Sequence, residues 1–245
     1  MRKLLAYPLT CIYYLFFGLS LLVFHPIQWI CFNVFGYQAH KKSVDYLNFC
    51  LTRCLHILGI RFSFKVPKDL PKNVPIILVA NHQSMNDIPP IIWFMRRFHV
   101  KFVSKKELGK GIPSVSYNLR HGGSVLIDRK NPKQAVEKIK EMAYYIETHN
   151  RGVVIFPEGT RSRDGHPKPF QTRGLATLIE AAPNAYIIPL TINNSWKTLM
   201  YGKFPMGIGA HLKFKVHQPL KVSDFETKPL IELVETTIKN DIIVG

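Results

Sequence analysis

Hydrophobic residues fill the first part of the chain, and their arrangement predicts helical structure in contact with lipid. After Arg2 and Lys3, residues 4–38 contain no formally charged side chain. Residues 4–24 would form a helix about 30 Å long, enough to cross a hydrocarbon core. We expect His25-Pro26 to interrupt this helix, and residues 27–37 are too few to cross again. Residues 1–40 are therefore predicted to be a half-inserted, membrane-docking helical segment.

Three other interpretations of this segment stay open. A signal peptide also begins with basic residues before an apolar run, although no small-x-small cleavage site follows Phe24. A single membrane crossing is the second, because the basic pairs at both ends leave the orientation undecided. A buried pair of core helices is the third, although few soluble helices are apolar on every face.

Beyond residue 40, apolar runs alternate with amphipathic stretches, as is typical of an α/β domain. Apolar residues at helical spacing predict a connecting helix over residues 44–60, ending at Gly59. Strands are predicted at residues 61–66, 75–80, 100–103, 123–127, 152–156, 187–192 and 211–216, and helices at 91–98, 133–148 and 175–182. This alternation predicts a central, mostly parallel sheet flanked by helices over residues 41–245.

Net charge narrows the classes of partner. The 245 residues include 33 Lys and Arg against 16 Asp and Glu, a formal net charge of +17 that attracts polyanions. Because the basic residues are dispersed and no aromatic-plus-basic signature or zinc spacing accompanies them, we expect a membrane surface rather than nucleic acid. The four cysteines form neither a dense disulfide framework nor a metal-ligand pattern, so we expect reduced thiols and no metal.

Residues with side chains suited to catalysis or binding lie just after predicted strands. The first such group is residues 81–87 (NHQSMND). His82 and Asp87 are five residues apart, so on one continuous helix they would not face each other and can meet only across a bend. A carboxylate that orients an imidazole is the minimal device for taking a proton from a hydroxyl. The alternative is structural: Asp87 is also a good helix N-cap, and His82 would then be merely hydrogen-bonded at a strand end.

Two further strand ends carry arginines. Arg129 follows the predicted strand at 123–127, and Arg161 lies in residues 156–163 (FPEGTRSR). A guanidinium matches a phosphate with two parallel hydrogen bonds, so these arginines form a candidate phosphate clamp. Glu158 would orient a substrate hydroxyl or hold an arginine, and Gly159 permits a tight turn before Thr160. Ordinary surface loops remain an equally good interpretation of each segment alone.

Four blocks in this order resemble the 1-acylglycerol-3-phosphate acyltransferase family. They are the His-x4-Asp motif in NHQSMND, then GGSVLIDR (122–129), FPEGTRSRDG (156–165) and IIPLTI (187–192). The resemblance covers about half of the chain and is far more specific than any single block. One departure is Gln171, where the family pattern leads us to expect a basic residue.

The resemblance implies an acyl transfer. His82 would be the general base on a free glycerol hydroxyl, oriented by Asp87, and the hydroxyl would attack an acyl thioester without an acyl-enzyme. Arg129 and Arg161 would hold the substrate phosphate. The other residues implied to bind substrate are Glu158, Gly159, Thr160 and, more weakly, Lys105. No cofactor is implied.

The expected reaction is acylation of lysophosphatidic acid to phosphatidic acid at the cytosolic face of the inner membrane. The donor would be acyl-coenzyme A or acyl carrier protein, which the sequence does not distinguish. Three alternatives stay open: another lysolipid acceptor, a non-catalytic protein that docks on anionic lipid, and a hydrolase. A hydrolase is disfavoured because no G-x-S-x-G elbow is present and Ser84 shows no sign of a nucleophile turn.

Overall fold

A single long helix forms the N-terminus. A computed structural model describes residues 1–128 and 130–244. Helix α1 (Arg2–Phe35) continues for 34 residues through Pro8 and Pro26, so the predicted interruption at His25-Pro26 is wrong. Contacts from another part of the chain explain why: Ser114 donates its hydroxyl to the carbonyl of Leu21 at 2.6 Å, and its backbone N–H lies 3.1 Å from His25 Nδ1. These bonds hold the helix at the point where proline removes a backbone donor.

Helix α2 (Tyr37–Cys54) folds back against α1 across one residue, Gly36, whose φ of 80° suits glycine. The pairing is antiparallel, because the Phe32 ring lies 5.5 Å from His40 and Ser20 lies 3.9 Å from Cys54. The predicted helix at residues 44–60 therefore begins earlier. It ends as expected, since a 3₁₀ turn (Leu55–Leu58) leads to Gly59 in the left-handed conformation.

The centre of the molecule is a mostly parallel sheet, as predicted. In the described residues its strands are β1 (Arg61–Lys65), β2 (Ile76–Ala80), β3 (Lys101–Lys105), β4 (Val125–Ile127), β5 (Gly152–Ile155), β6 (Tyr186–Asn193), β7 (His211–Val216) and β8 (Leu220–Lys221). Their order is β1-β7-β6-β2-β5-β3-β4, with β8 paired to β6. All neighbours are parallel except β6 with β7 and β6 with β8.

Helices cover both faces of the sheet. They are α3 (Ile88–Phe94), α4 (Val115–His121), α5 (Pro132–His149), α6 (Thr172–Ala181) and α7 (Thr227–Asn240). In the fully buried strand β2, Leu78 and Ala80 pack in a core with α1, α2 and α3, whereas Ile77 and Val79 pack in a second core with α5, α6 and α7. The α/β architecture predicted from the pattern is confirmed, whereas α4, α7 and β8 were not predicted.

Candidate functional site

His82 and Asp87 meet at the carboxyl end of β2, the central strand. The chain leaves β2, passes His82, and makes a 3₁₀ turn (Met85–Asp87) that leads directly into α3. Ser84 caps this turn, accepting from the Asn86 N–H while Asp87 accepts from the Ser84 N–H. The bend brings His82 Nδ1 to 2.8 Å from Asp87 Oδ2. The two side chains therefore meet across a turn, as their spacing requires.

Asp87 is fully buried and highly hydrogen-bonded. Its Oδ2 accepts from His82 Nδ1 at 2.8 Å and from the backbone N–H groups of Gln83 and Ser84 at 2.9 Å each. These bonds fix the orientation of the carboxylate, which in turn holds the N–H of a neutral imidazole on Nδ1. The other ring nitrogen of His82, Nε2, is then the proton acceptor. The His82 side chain is 18% exposed, so a substrate can reach it.

An aromatic ring fixes the plane of the imidazole. Phe156, the first residue after β5, stacks on His82 with ring centroids 4.2 Å apart and planes 21° apart. Phe102 of β3 stacks in turn on Phe156 at 6.4 Å. The sequence gives no signal for this contact, because it joins residues from three different strands.

Glu158 braces the site from the loop after β5. Its Oε1 accepts from the His82 N–H at 3.0 Å and its Oε2 from the Lys168 N–H at 3.2 Å, while the side chain is 2% exposed. Burial raises the pKa of this carboxyl, and the two backbone hydrogen bonds act in the opposite direction. A further bond runs from the Ser162 N–H to the His82 carbonyl at 2.8 Å. Both Glu158 oxygens thus accept hydrogen bonds from backbone N–H groups, one from the turn after β2 and one from the loop after β5, rather than binding an arginine.

The remaining predicted substrate-binding residues lie around this loop or at the same sheet edge. Gly159 adopts a φ of 67°, whereas Thr160 and Arg161 are exposed. Lys105 is exposed at the carboxyl end of β3, two strands away from β2. Arg129 lies outside the described residues.

A buried polar network beneath the dyad was not foreseen. Its members, drawn from the turn after β2 and the segment after β6, are Asn81, Gln83, Ser84, Asn86, Ser195 and Thr198. Thr198 Oγ1 lies 3.0 Å from Ser84 Oγ and accepts from Asn86 Nδ2 at 2.9 Å. Because Ser84 is fully buried in this network, it is not available as a nucleophile.

Asn81 extends the sheet by side-chain bonding. Its amide donates to the Ile192 carbonyl at 2.8 Å and accepts from the Ile192 N–H at 2.7 Å. The side chain thus replaces a backbone peptide group at the point where β2 turns away. The arrangement as a whole places an oriented, partly exposed imidazole on a hydrogen-bonded turn, a geometry that suits a general base.

Comparison with known proteins agrees with this arrangement. Residues 61–193, more than half of the chain, match the sequence model of the family described as Acyltransferase. The 1-acyl-sn-glycerol-3-phosphate acyltransferase of Cocos nucifera is 29% identical over 166 residues, which cover 66% of this chain and 51% of that protein. The corresponding Homo sapiens alpha protein is 26% identical over 153 residues, covering 62% and 53%. The matched regions thus span about half the length of these relatives.

A solved structure shares the fold over nearly the whole chain. The 1-acyl-sn-glycerophosphate (LPA) acyltransferase PlsC from Thermotoga maritima superposes with a TM-score of 0.81 at 24% identity, covering 98% of this chain and 95% of that one. The family match includes the turn that carries His82 and Asp87 as well as the loop that carries Glu158. We conclude that this chain belongs to the acyltransferase family.

Proposed function

We propose that the protein transfers an acyl group from a thioester to the free hydroxyl of 1-acylglycerol-3-phosphate, producing phosphatidic acid. The observation that carries this proposal is the 2.8 Å bond from His82 to the fully buried Asp87 at a solvent-accessible sheet edge. The acceptor hydroxyl would attack the thioester carbonyl while His82 Nε2 takes its proton. The tetrahedral intermediate then collapses, and the departing thiolate receives that proton.

The names of the relatives and the charge of the chain support a phosphate-bearing acceptor. Both relatives described above carry 1-acyl-sn-glycerol-3-phosphate acyltransferase in their names. Arg161 is exposed in the loop that Glu158 braces, where a lipid phosphate has access. In our proposal Arg161 holds that phosphate together with Arg129, and Lys105 adds positive charge at the same edge.

Helix α1 supports capture of the acceptor from one leaflet. It has the length and apolar composition to cross a membrane. However, it contacts the rest of the protein along most of its length: Thr10 Oγ1 accepts from the Met206 N–H, and Asn33 Nδ2 donates to the Tyr117 hydroxyl, both at 3.0 Å. These contacts lie about 34 Å apart along the helix axis. A helix packed over that distance lies along the membrane surface rather than across it.

The outward side of α1 is apolar, which suits this orientation. Exposed large residues along it are Leu4, Leu5, Ile12, Leu15, Phe16, Leu19, Leu22, Val23, Trp29, Ile30, Val34 and Phe35. We propose that this surface enters one leaflet at the cytosolic face of the inner membrane. Leu19→Glu should then weaken binding to anionic vesicles, whereas Leu233→Glu on α7, at a similarly exposed site, should leave it intact. Equal binding by both variants would refute the orientation.

Activity of the purified chain tests the reaction. Lysophosphatidic acid should be acylated with acyl-coenzyme A or acyl carrier protein thioesters, and mass spectrometry identifies the product. His82→Ala should abolish transfer, whereas the control His149→Ala, exposed at the end of α5, should keep it. Phosphatidic acid formation by His82→Ala at the parent rate would rule out the proposed base.

The phosphate clamp separates the proposal from transfer to another lysolipid. Arg161→Gln should raise KM for lysophosphatidic acid but not for an acceptor without a phosphomonoester. Lys140→Gln, at an exposed position of α5, is the charge-matched control. If a neutral lysolipid is the better acceptor and is indifferent to Arg161→Gln, the acceptor assignment fails while acyl transfer stands. Free fatty acid as the only product would indicate a hydrolase.

A further inference from the structure

A second group of basic side chains lies at the amino edge of the sheet. Lys101 begins β3 and pairs with Val153, which in turn pairs with Ile77 of β2. His82 is five residues beyond Ile77, so roughly 16 Å of strand separates the two levels. The amino-edge cluster comprises Lys41, Asp45, Arg96, His99, Lys101 and Arg151. It is therefore distinct from the candidate active site.

Lys101 is the unusual member of the amino-edge cluster. It is 6% exposed, and within the described residues its ammonium has neither a hydrogen bond nor an ion pair. Among the described residues it lies over the face of the Tyr37 ring, 5.1 Å from the centroid, and the Asp45 carboxylate is near enough to raise its pKa. Burying an unpaired cation is costly, and a cation–π contact offsets only part of that cost. A buried charge without a protein partner points to a missing anion.

More positive charge surrounds the same aromatic ring. The Arg151 guanidinium lies 4.7 Å from the Tyr37 centroid, and the His99 ring stacks on Tyr37 with centroids 5.4 Å and planes 9° apart. Tyr37 is itself fixed by hydrogen bonds to His99 Nε2 at 2.9 Å and to the Tyr145 hydroxyl at 3.0 Å. The cations are thus presented on a rigid frame. Burial together with Lys101, Arg151 and Lys41 lowers the pKa of His99 to about 2, so it adds no charge of its own.

The negative charge in the amino-edge cluster does not balance the positive charge. Asp45 is the one acid among the described residues that line this pocket, and it already pairs with Lys41. Arg96, on the exposed side, stacks on Trp93 at 4.1 Å and has no carboxylate partner in the ion pairs of the described chain. Among the ion pairs of the described residues, none involves Lys101 or Arg151. With His99 neutral and Lys41, Arg96, Lys101 and Arg151 protonated, four positive charges face the single negative charge of Asp45, a net charge of about +3.

Lipid would lie next to the amino-edge cluster. Tyr37 begins α2, one residue beyond the end of α1, where Val34 and Phe35 are 65% and 69% exposed. Anionic phospholipids combine a phosphate with acyl chains, and this part of the molecule combines an unpaired buried ammonium with an exposed apolar helix end. We propose that the amino-edge cluster is a second phosphate-binding site, filled by the headgroup of an anionic phospholipid. The site goes beyond the proposed reaction and does not depend on it.

Thermal unfolding of the full-length protein in neutral detergent tests the site, because that readout does not require activity. Arg161→Gln serves as the background, so that binding at the candidate active site is weakened. Inorganic phosphate should raise the unfolding temperature of this background protein. Adding Lys101→Met should remove at least half of that shift, and adding the control Lys140→Met should leave it unchanged. Arg151→Gln provides a second disruption should Lys101→Met fold poorly.

Nanodiscs separate the two sources of phosphate. Phosphatidylcholine discs that contain phosphatidic acid should stabilise the Arg161→Gln protein more than pure phosphatidylcholine discs, and Lys101→Met should abolish the difference. Stabilisation by inorganic phosphate but not by phosphatidic acid would keep the site and assign it to a soluble phosphate. A phosphate shift that persists undiminished in Lys101→Met and Arg151→Gln, or no shift in any protein, would overturn the proposal.

Discussion

Two buried charges at opposite edges of one sheet are treated in opposite ways. At the carboxyl edge, Asp87 is fully buried and its Oδ2 accepts three hydrogen bonds. At the amino edge, Lys101 is almost as buried, yet it contacts only an aromatic face within the described chain. A buried charge surrounded by partners organises the protein, whereas one without partners is suited to an external ligand. Burial alone therefore does not distinguish the two roles.

The largest effect, a loss of activity, should come from removing the charge of Asp87 at the carboxyl edge. In Asp87→Asn the amide oxygen can take the place of Oδ2 and keep its three bonds, with the NH₂ group at the Oδ1 position, but the neutral side chain no longer stabilises an imidazolium. We expect kcat to fall by about 10²- to 10⁴-fold. The measurement is a steady-state acyl-transfer assay of folded protein, with Asp224→Asn, in the 3₁₀ turn after β8, as the control. A loss smaller than about threefold would leave Asp87 as a cap only.

Smaller losses of stability and activity should follow from weakening the hydrogen bonds that Glu158 accepts. Glu158→Gln keeps one acceptor oxygen but turns an amide N–H₂ toward the backbone N–H of His82 or Lys168. We expect a stability loss of about 1–3 kcal/mol and a fall in kcat of about tenfold to a hundredfold. Chemical denaturation and kinetics measure both, and Glu141→Gln on exposed α5 should change neither. A rise in KM without lost stability would instead indicate a substrate contact.

The pH dependence of stability tests whether Lys101 lacks a partner in the folded protein. Burial, and then the charges of Arg151 and Lys41, lowers the pKa of Lys101 from 10.5 to about 7, while Asp45 raises it slightly. Between these values the unfolded chain binds a proton that the folded chain lacks, so this group makes stability rise with pH and fall as pH drops toward 7.

The expected slope is about 1.4 kcal/mol per pH unit within that window. It should appear as a difference between the parent and Lys101→Met in denaturant unfolding across the window, in phosphate-free buffer. The groups facing Lys101 that must stay unchanged are Tyr37, Lys41, Asp45, His99, Tyr145 and Arg151. Lys140→Met should show no such difference. Identical pH profiles for the parent and Lys101→Met would mean that Lys101 is well paired.

The smallest effect should come from altering the loop without altering a charge. Gly159 has a φ of 67°, and an added Cβ would lie 3.0 Å from Gln171 Nε2. Gly159→Ala should cost about 1–2 kcal/mol. Adding Gln171→Ala should recover part of that loss by removing the crowding. Gly111→Ala is the matched control for strain without crowding, since Gly111 has a φ of 82° and nothing lies within 4 Å of its Cβ position. Full recovery in the double variant would show that backbone strain is negligible there.

Local patterns were sufficient for most strands and for the meeting of His82 with Asp87, because alternation and a five-residue spacing act over short distances. They failed where distant residues decide. Ser114 supports α1 beside Pro26, and Phe156 reaches His82 from another strand. The short helix α4 and the last helix α7 lacked recognised boundaries. The amino-edge cluster joins α2, β3 and the start of β5, so no single segment could reveal it.

Tyr13 gives the anchoring helix a second role. Its ring is 1% exposed in the same core as β2, and its hydroxyl points to Asn86 Oδ1 at 3.4 Å, within the turn that carries Asp87. Deleting α1 to obtain a water-soluble fragment would create a cavity in that core and remove the Tyr13 contact with Asn86 in the turn. The packing of α1 and the orientation of the imidazole are thus linked through one phenol ring.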